Sequence, residues 1–216
     1  MNYYKMKNTF TFLLALFLLS ACDGGKSGNT GAGGTANTGS VPSQNTTKAG
    51  KRVIKASELI SREDAAALLG QSMKDGEIPK RPFIDESKYV SQNYFFSIAL
   101  CQEALRDKNS DFEKNLLKNG WANYMKEMEK AYSKNYHKQN IIETGSIDGK
   151  SYLQDGGAMG LWSVHLFYGE YYILINLGNT SLSRKDGEAE TAWKQGILKE
   201  AGTLAVGRLK EIITDL

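Results

Sequence analysis

The chain has 216 residues, of which 24% are charged and 41% hydrophobic, as in an ordinary globular protein of one or at most two domains. Its formal net charge is +3, but Lys5 and Lys7 lie in a segment expected to be removed, which leaves 25 Lys and Arg against 24 Asp and Glu, or +1. A body so close to neutral has no global field to draw it onto nucleic acid, and no nucleic-acid partner is expected.

Residues 1–8 are polar and carry both of those lysines, and residues 10–19 (FTFLLALFLL) form a nearly continuous apolar run. A positive start, a short apolar core and small residues before a cut make an export signal. Ten apolar residues rise only ~15 Å as a helix, about half a bilayer core, so the run is a poor permanent span. The next residues, Leu19-Ser20-Ala21-Cys22, resemble the lipobox of bacterial lipoproteins at all four positions. That resemblance implies cleavage between Ala21 and Cys22, a diacylglyceryl group on the Cys22 thiol, often acylation of the new amino group, and a membrane as partner through that lipid. Two or three acyl chains hold firmly, because each buried methylene adds ~0.8 kcal/mol. In enterobacteria Asp directly after the lipidated cysteine favours retention in the inner membrane, and Asp23 fits that pattern.

Residues 23–50 are rich in Gly, Ser, Thr and Asn, with Val41 as the single large aliphatic. Such a chain cannot bury enough to order itself, and about 28 residues of it reach ~30 Å, which suits a tether. The expected organisation is therefore a signal peptide over 1–21, a lipidated disordered tether over 22–50 and one globular domain over 51–216. With Cys22 given to lipid, Cys101 has no partner in the chain, so the hydrophobic core and not a disulfide must hold the domain.

Three helix starts carry Ser with an acid three residues on: Ser61 with Asp64, Ser110 with Glu113 and Ser183 with Asp186. The first opens a short helix over 62–69 with Gly70 at its end. The second opens a helix over 111–134 whose stripe is Leu117, Trp121, Tyr124, Met128 and Tyr132, with Asn119-Gly120 as a possible break. The third precedes a helix over about 188–212, where Trp193, Ile197, Ala201, Ala205 and Leu209 recur every four residues. Between them the sequence reads as strand: 89–100, then 141–144 and 151–154 flanking the Asp148-Gly149 turn signal, then 161–168 and 171–177 split by Gly169-Glu170. Strand 161–168 is apolar on both faces, which calls for cover on both sides or a groove on one.

The sum is an α+β fold, an antiparallel sheet of about five strands packed with two long helices and one short one. Residues 63–70 resemble the opening of small actinobacterial lipoprotein domains of unknown function, and the element order is similar to the PsbP-like fold. Neither resemblance carries a functional motif, and fold does not fix function.

Catalytic constellations are sparse. His137 and His165 are the only histidines, and neither has a second ligand at zinc spacing, so no metal or cofactor is expected. His137 follows the second helix, where a positive charge suits the dipole. Gly156-Gly157-Ala158-Met159-Gly160 lacks the Lys-Ser/Thr of a phosphate loop. Lys126, Lys130 and Lys134 form a basic stripe that reads as a solvated helix face or one lying against anionic headgroups. Cys101 with His165 is the one possible cysteine dyad, and Cys101, at the end of an apolar strand, reads more simply as a small core residue. The sequence points to a non-catalytic binding or assembly module of the cell envelope, facing the periplasm or exterior, with an envelope protein or small ligand as partner. Trp162, His165, Tyr168, Tyr171 and Tyr172 are its candidate contact surface. The alternative is an envelope enzyme or thiol-dependent activity using Cys101.

Overall fold

The computed structural model describes residues 52–78, 80–135, 141–143, 147–155, 160–180 and 187–215, all within one compact unit, Gln44–Leu216. In chain order it contains α1 (Ala56–Leu59), α2 (Arg62–Leu69), β1 (Lys74–Asp75), β2 (Ile84–Val90) and β3 (Tyr94–Cys101). A 3-10 turn (Glu103–Leu105), α3 (Asp111–Leu116) and α4 (Trp121–Asn135) follow, then β4 (Ile141–Glu143), β5 (Lys150–Asp155), β6 (Trp162–Tyr168), β7 (Tyr171–Asn179) and α5 (Glu188–Thr214). The seven strands form one sheet in the order β1-β2-β3-β7-β6-β5-β4, and every pairing is antiparallel. The protein is α+β, as the patterning of its sequence implies.

Local chemistry sets the element ends. The Ser61 hydroxyl accepts from the Asp64 amide at 3.1 Å, and the Asp64 carboxylate accepts from the Ser61 amide at 2.8 Å, so two free N–H groups at the start of α2 are satisfied together. Gly70 ends the helix at φ +65°, a left-handed conformation that glycine takes without steric cost. Gly169 opens the β6–β7 turn at φ +57°.

Two differences from the sequence reading have physical causes. The strand expected over 89–100 is the end of β2, a turn and β3. Ser91 closes the turn by donating its amide to the Tyr94 carbonyl at 2.8 Å and accepting the Tyr94 amide on its hydroxyl at 3.0 Å. The helix expected over 111–134 is two pieces, because the chain leaves helical geometry at Leu117 and passes through Gly120 at φ +83°. The long last helix runs over 188–214 with Gly187 before it; the Ser183–Asp186 signal lies outside the described residues, as do the 156–159 stretch and His137.

The sheet has two covered faces. On the first, Phe96, Ile98 and Leu100 of β3, Ile173, Ile175 and Leu177 of β7 and Val164 and Leu166 of β6 pack with Leu198, Ala201, Ala205 and Leu209 of α5, and with Ile54, Leu59 and Ile60. Small residues let α5 come close: a Cβ on Gly202 would lie 2.8 Å from Ile147 and 3.4 Å from Leu166. Each large aliphatic buried there contributes ~1.5–3 kcal/mol. On the second face lies α4, through Trp121, Tyr124, Met125, Met128 and Tyr132, all buried.

The start of the body is pinned by side chains. The Gln102 carboxamide, buried just past β3, accepts the Ile54 amide at 2.9 Å and donates to the Ile54 carbonyl at 2.6 Å. Asp85 of β2 accepts the Ala56 amide at 2.6 Å, at the open start of α1. Arg208 of α5 forks onto Asp64, with Nη2 2.9 Å from Oδ1, and also donates to the Leu59 carbonyl at 3.1 Å. That guanidinium holds the Asp64 carboxyl well below the usual carboxylate range. Among the described residues no helix is long and apolar enough to cross a membrane.

Candidate functional site

The five aromatic and imidazole side chains singled out in the sequence sit on the β6–β7 hairpin, but they do not share one exposed surface. Successive strand residues face opposite sides of a sheet. Trp162, Tyr168 and Tyr171 accordingly point to the α5 face, where Trp162 is core and the two tyrosines are partly buried against it. His165 and Tyr172 point the other way, under α4, at 3% and 1% exposure. The expectation of a single aromatic contact surface is therefore corrected: the hairpin is buried on both faces because a helix covers each.

On the α4 side the hairpin builds a buried polar chain. The Gln154 carboxamide oxygen lies 2.9 Å from His165 Nε2, so the neutral ring keeps its proton there and donates. Nδ1 is left to accept from the Tyr172 hydroxyl at 2.7 Å, and the Tyr132 hydroxyl of α4 is 3.5 Å beyond. The Tyr132 ring lies over the imidazole with centroids 4.4 Å apart, and Phe167 stacks on Tyr172 at 4.8 Å. Burial pushes His165 down to about 3 and Tyr132 up to about 12, and it also holds Tyr172 well above the ordinary tyrosine range. All three are neutral at physiological pH, which suits a structural network and not a proton-transfer pair poised near neutrality.

Next to this chain, one transverse row of the same face is polar. The strand register places Lys88, Ser97, Asn176, Ser163 and Gln154 side by side across β2, β3, β7, β6 and β5. Ser163 donates to the Asn176 carboxamide oxygen at 2.7 Å, and Asn176 donates to the Ser97 hydroxyl at 3.1 Å. The side chains satisfy one another, so the row costs little to bury. Phe95 closes one side, lying so flat on β7 that a Cβ on Gly178 would meet its ring at 2.5 Å.

Cys101 is the last residue of β3 and is 2% exposed. Burial alone pushes its thiol up to about 12, which keeps it protonated. Its register neighbours are Ile84 and Tyr172, whereas His165 is opposite Leu174 on the far side of β7. The thiol and the imidazole are thus on different strands, in different rows, and His165 spends both nitrogens on Tyr172 and Gln154.

A second buried polar cluster was missed in the sequence. Lys194 of α5 is 0% exposed and donates to the Gly160 carbonyl at 2.8 Å and the Asn179 side chain at 3.0 Å. Its ammonium is 3.7 Å from Glu190, which also accepts from the Tyr94 hydroxyl at 3.2 Å. The signal was available: Lys194 stands four residues before Leu198 and continues the apolar stripe Leu198, Ala201, Ala205, Leu209 into the core. A small hollow lined by Gln102, Glu103, Ala104, Trp121, Glu170 and Tyr171 has room for about one water. Among the described residues no group of three or more His, Cys, Asp or Glu is placed to hold a metal ion. Ala21, Cys22 and Asp23 lie outside the described residues. The chain matches no protein-family model, and it has no match among curated proteins or solved structures.

Proposed function

We propose that this chain is an exported bacterial lipoprotein, lipid-anchored in the cell envelope through Cys22, whose α+β body serves as a non-catalytic binding or assembly module. The observation that carries the reading is Leu19-Ser20-Ala21-Cys22 at the end of a ten-residue apolar run that follows Lys5 and Lys7. The character of the body supports the second half of it. The thiol and imidazole that a nucleophilic mechanism would need are buried, separated and neutral. The partner in this reading is an envelope protein or a small ligand. Asp23 favours the inner membrane where the host has two.

Expression with labelled palmitate tests the anchor. The mature chain is expected to carry label and to partition with membranes, and Cys22→Ala to lose both. A Cys22→Ala chain held on membranes as firmly as the parent defeats the proposal. The competing thiol-enzyme reading meets its own test in alkylation of the folded protein by iodoacetamide. Cys101 is expected to react only after unfolding, and rapid reaction of the native thiol revives that reading.

A further inference from the structure

The chain N-terminal to the body joins it at one end of the sheet. Ile54 is clamped by Gln102, the residue directly after β3, and Gln102 donates its amide to the Phe83 carbonyl at 2.9 Å, just before β2 begins. The turn between β6 and β7 lies at the same end, because Cys101 pairs with Tyr172. The segment carrying α3 is fixed there at both sides. It starts from the 3-10 turn after Gln102 and finishes at Trp121, whose indole donates to the Glu170 carbonyl at 2.8 Å.

This segment presents Phe112, 50% exposed, the most exposed large hydrophobic side chain among the described residues. It is held rigidly from beneath. Ser110 caps the helix, Glu113 is buried and accepts the Asp107 amide at 2.6 Å, and Leu117 is core. Within α3, helical spacing places Leu116 and the uncharged Asn115 beside Phe112. Lys118 and the Lys114–Asp111 ion pair at 2.9 Å flank it. The opposite end of the sheet offers the exposed polar residues Gln92, Asn93 and Thr180.

We infer that this end of the body rests on the lipid surface to which Cys22 is tethered, with Phe112 inserted at headgroup depth. The inference depends on the lipoprotein reading. One phenylalanine gains too little by leaving water to recruit a protein from solution. A chain tethered by about 30 residues meets the surface at an effective concentration in the millimolar range, where so weak a contact is enough. A lipid layer needs no shaped pocket, only an exposed apolar side chain on the side where the tether is rooted.

The test uses the full mature chain in phosphatidylethanolamine–phosphatidylglycerol vesicles, with acyl groups on Cys22 verified by mass spectrometry. Nitroxide labels at Asn115→Cys, beside Phe112 in α3, and Gln92→Cys report depth through oxygen and nickel accessibility. The label at 115 is expected to be shielded from the nickel complex and that at 92 fully accessible. In unlabelled protein, energy transfer from tryptophan to dansyl headgroups is expected to fall in Phe112→Asp, with the docked fraction dropping about tenfold or more, and to persist in Phe112→Leu. Equal nickel access at both sites, or transfer indifferent to Phe112→Asp, in a chain that does carry lipid overturns the docking and leaves the anchor standing. A mature chain without acyl groups overturns both.

Discussion

The two faces of the central sheet are buried by different means. The α5 face is aliphatic: Ile98, Leu100, Val164, Leu166, Ile173 and Ile175 meet a helix stripe of Leu, Ala and Gly, and burial is non-directional. The α4 face carries His165, Tyr172, Tyr132 and Gln154 in a hydrogen-bonded chain and Ser97, Asn176 and Ser163 in a row. An aliphatic face tolerates sliding as long as volume is kept. A chain of directional bonds has one satisfied arrangement, and so fixes the position of α4 at little net gain in stability.

Substitutions can break that contrast. The largest effect is expected from Ile175→Ala, which opens a cavity under α5 and should cost ~2–5 kcal/mol, read from the shift of a urea midpoint. Tyr172→Phe keeps the ring but leaves His165 Nδ1 without its donor, and ~1–3 kcal/mol is expected. A Tyr172→Phe loss equal to that of Ile175→Ala would show that the polar chain carries as much stability as the aliphatic face. The third expectation concerns pH. Folded His165 is held at about 3, against 6.5 in the unfolded chain. Above 6.5 neither state takes the proton; below it only the unfolded chain does. The stability His165 confers is therefore complete above about 6.5 and is lost progressively as pH falls toward about 3, at ~1.4 kcal/mol per pH unit in between. Unfolding curves between pH 6.5 and 5, above most carboxylate titrations, should show that slope in the parent and a flatter one in His165→Leu. The smallest effect is expected from Ser97→Ala, at ~0.5–1.5 kcal/mol, because Asn176 keeps its bond to Ser163.

Much of this architecture is legible in the residues themselves. The α2 boundaries follow from Ser61, Asp64 and Gly70, and β6 and β7 follow from their apolar runs and the Gly169 turn. Strand β2 escaped because Asp85, Glu86, Ser87 and Lys88 give it no apolar alternation. It lies near the sheet edge, and its buried acid, Glu86, is ion-paired with Arg81. The Ser91–Asn93 turn escaped because its turn residues, Ser and Asn, stand inside an aromatic and branched run with no Gly or Pro beside them. The contact surface was misread for a different reason. Aromatic enrichment marks a buried layer as readily as an exposed one, and only the alternation of Trp162 and His165, then Tyr171 and Tyr172, told which side each would take. Lys194 and Gln102 are single polar residues in apolar settings, and their partners are distant in sequence: Asn179 and Gly160 for the one, Ile54 for the other.

The Gln102 clamp also has a mechanical side. Any pull on the chain N-terminal to the body arrives at Ile54 and passes through two hydrogen bonds of the Gln102 carboxamide to the foot of β3, a strand with neighbours on both sides. Force is thus delivered to the middle of the sheet and shared among the ladders on either side, where a load on an outer strand would unzip one row at a time. The segment from Arg52 to α1 acts as a fuse, so that Gln102→Ala should let it peel away under tension while the sheet stays whole.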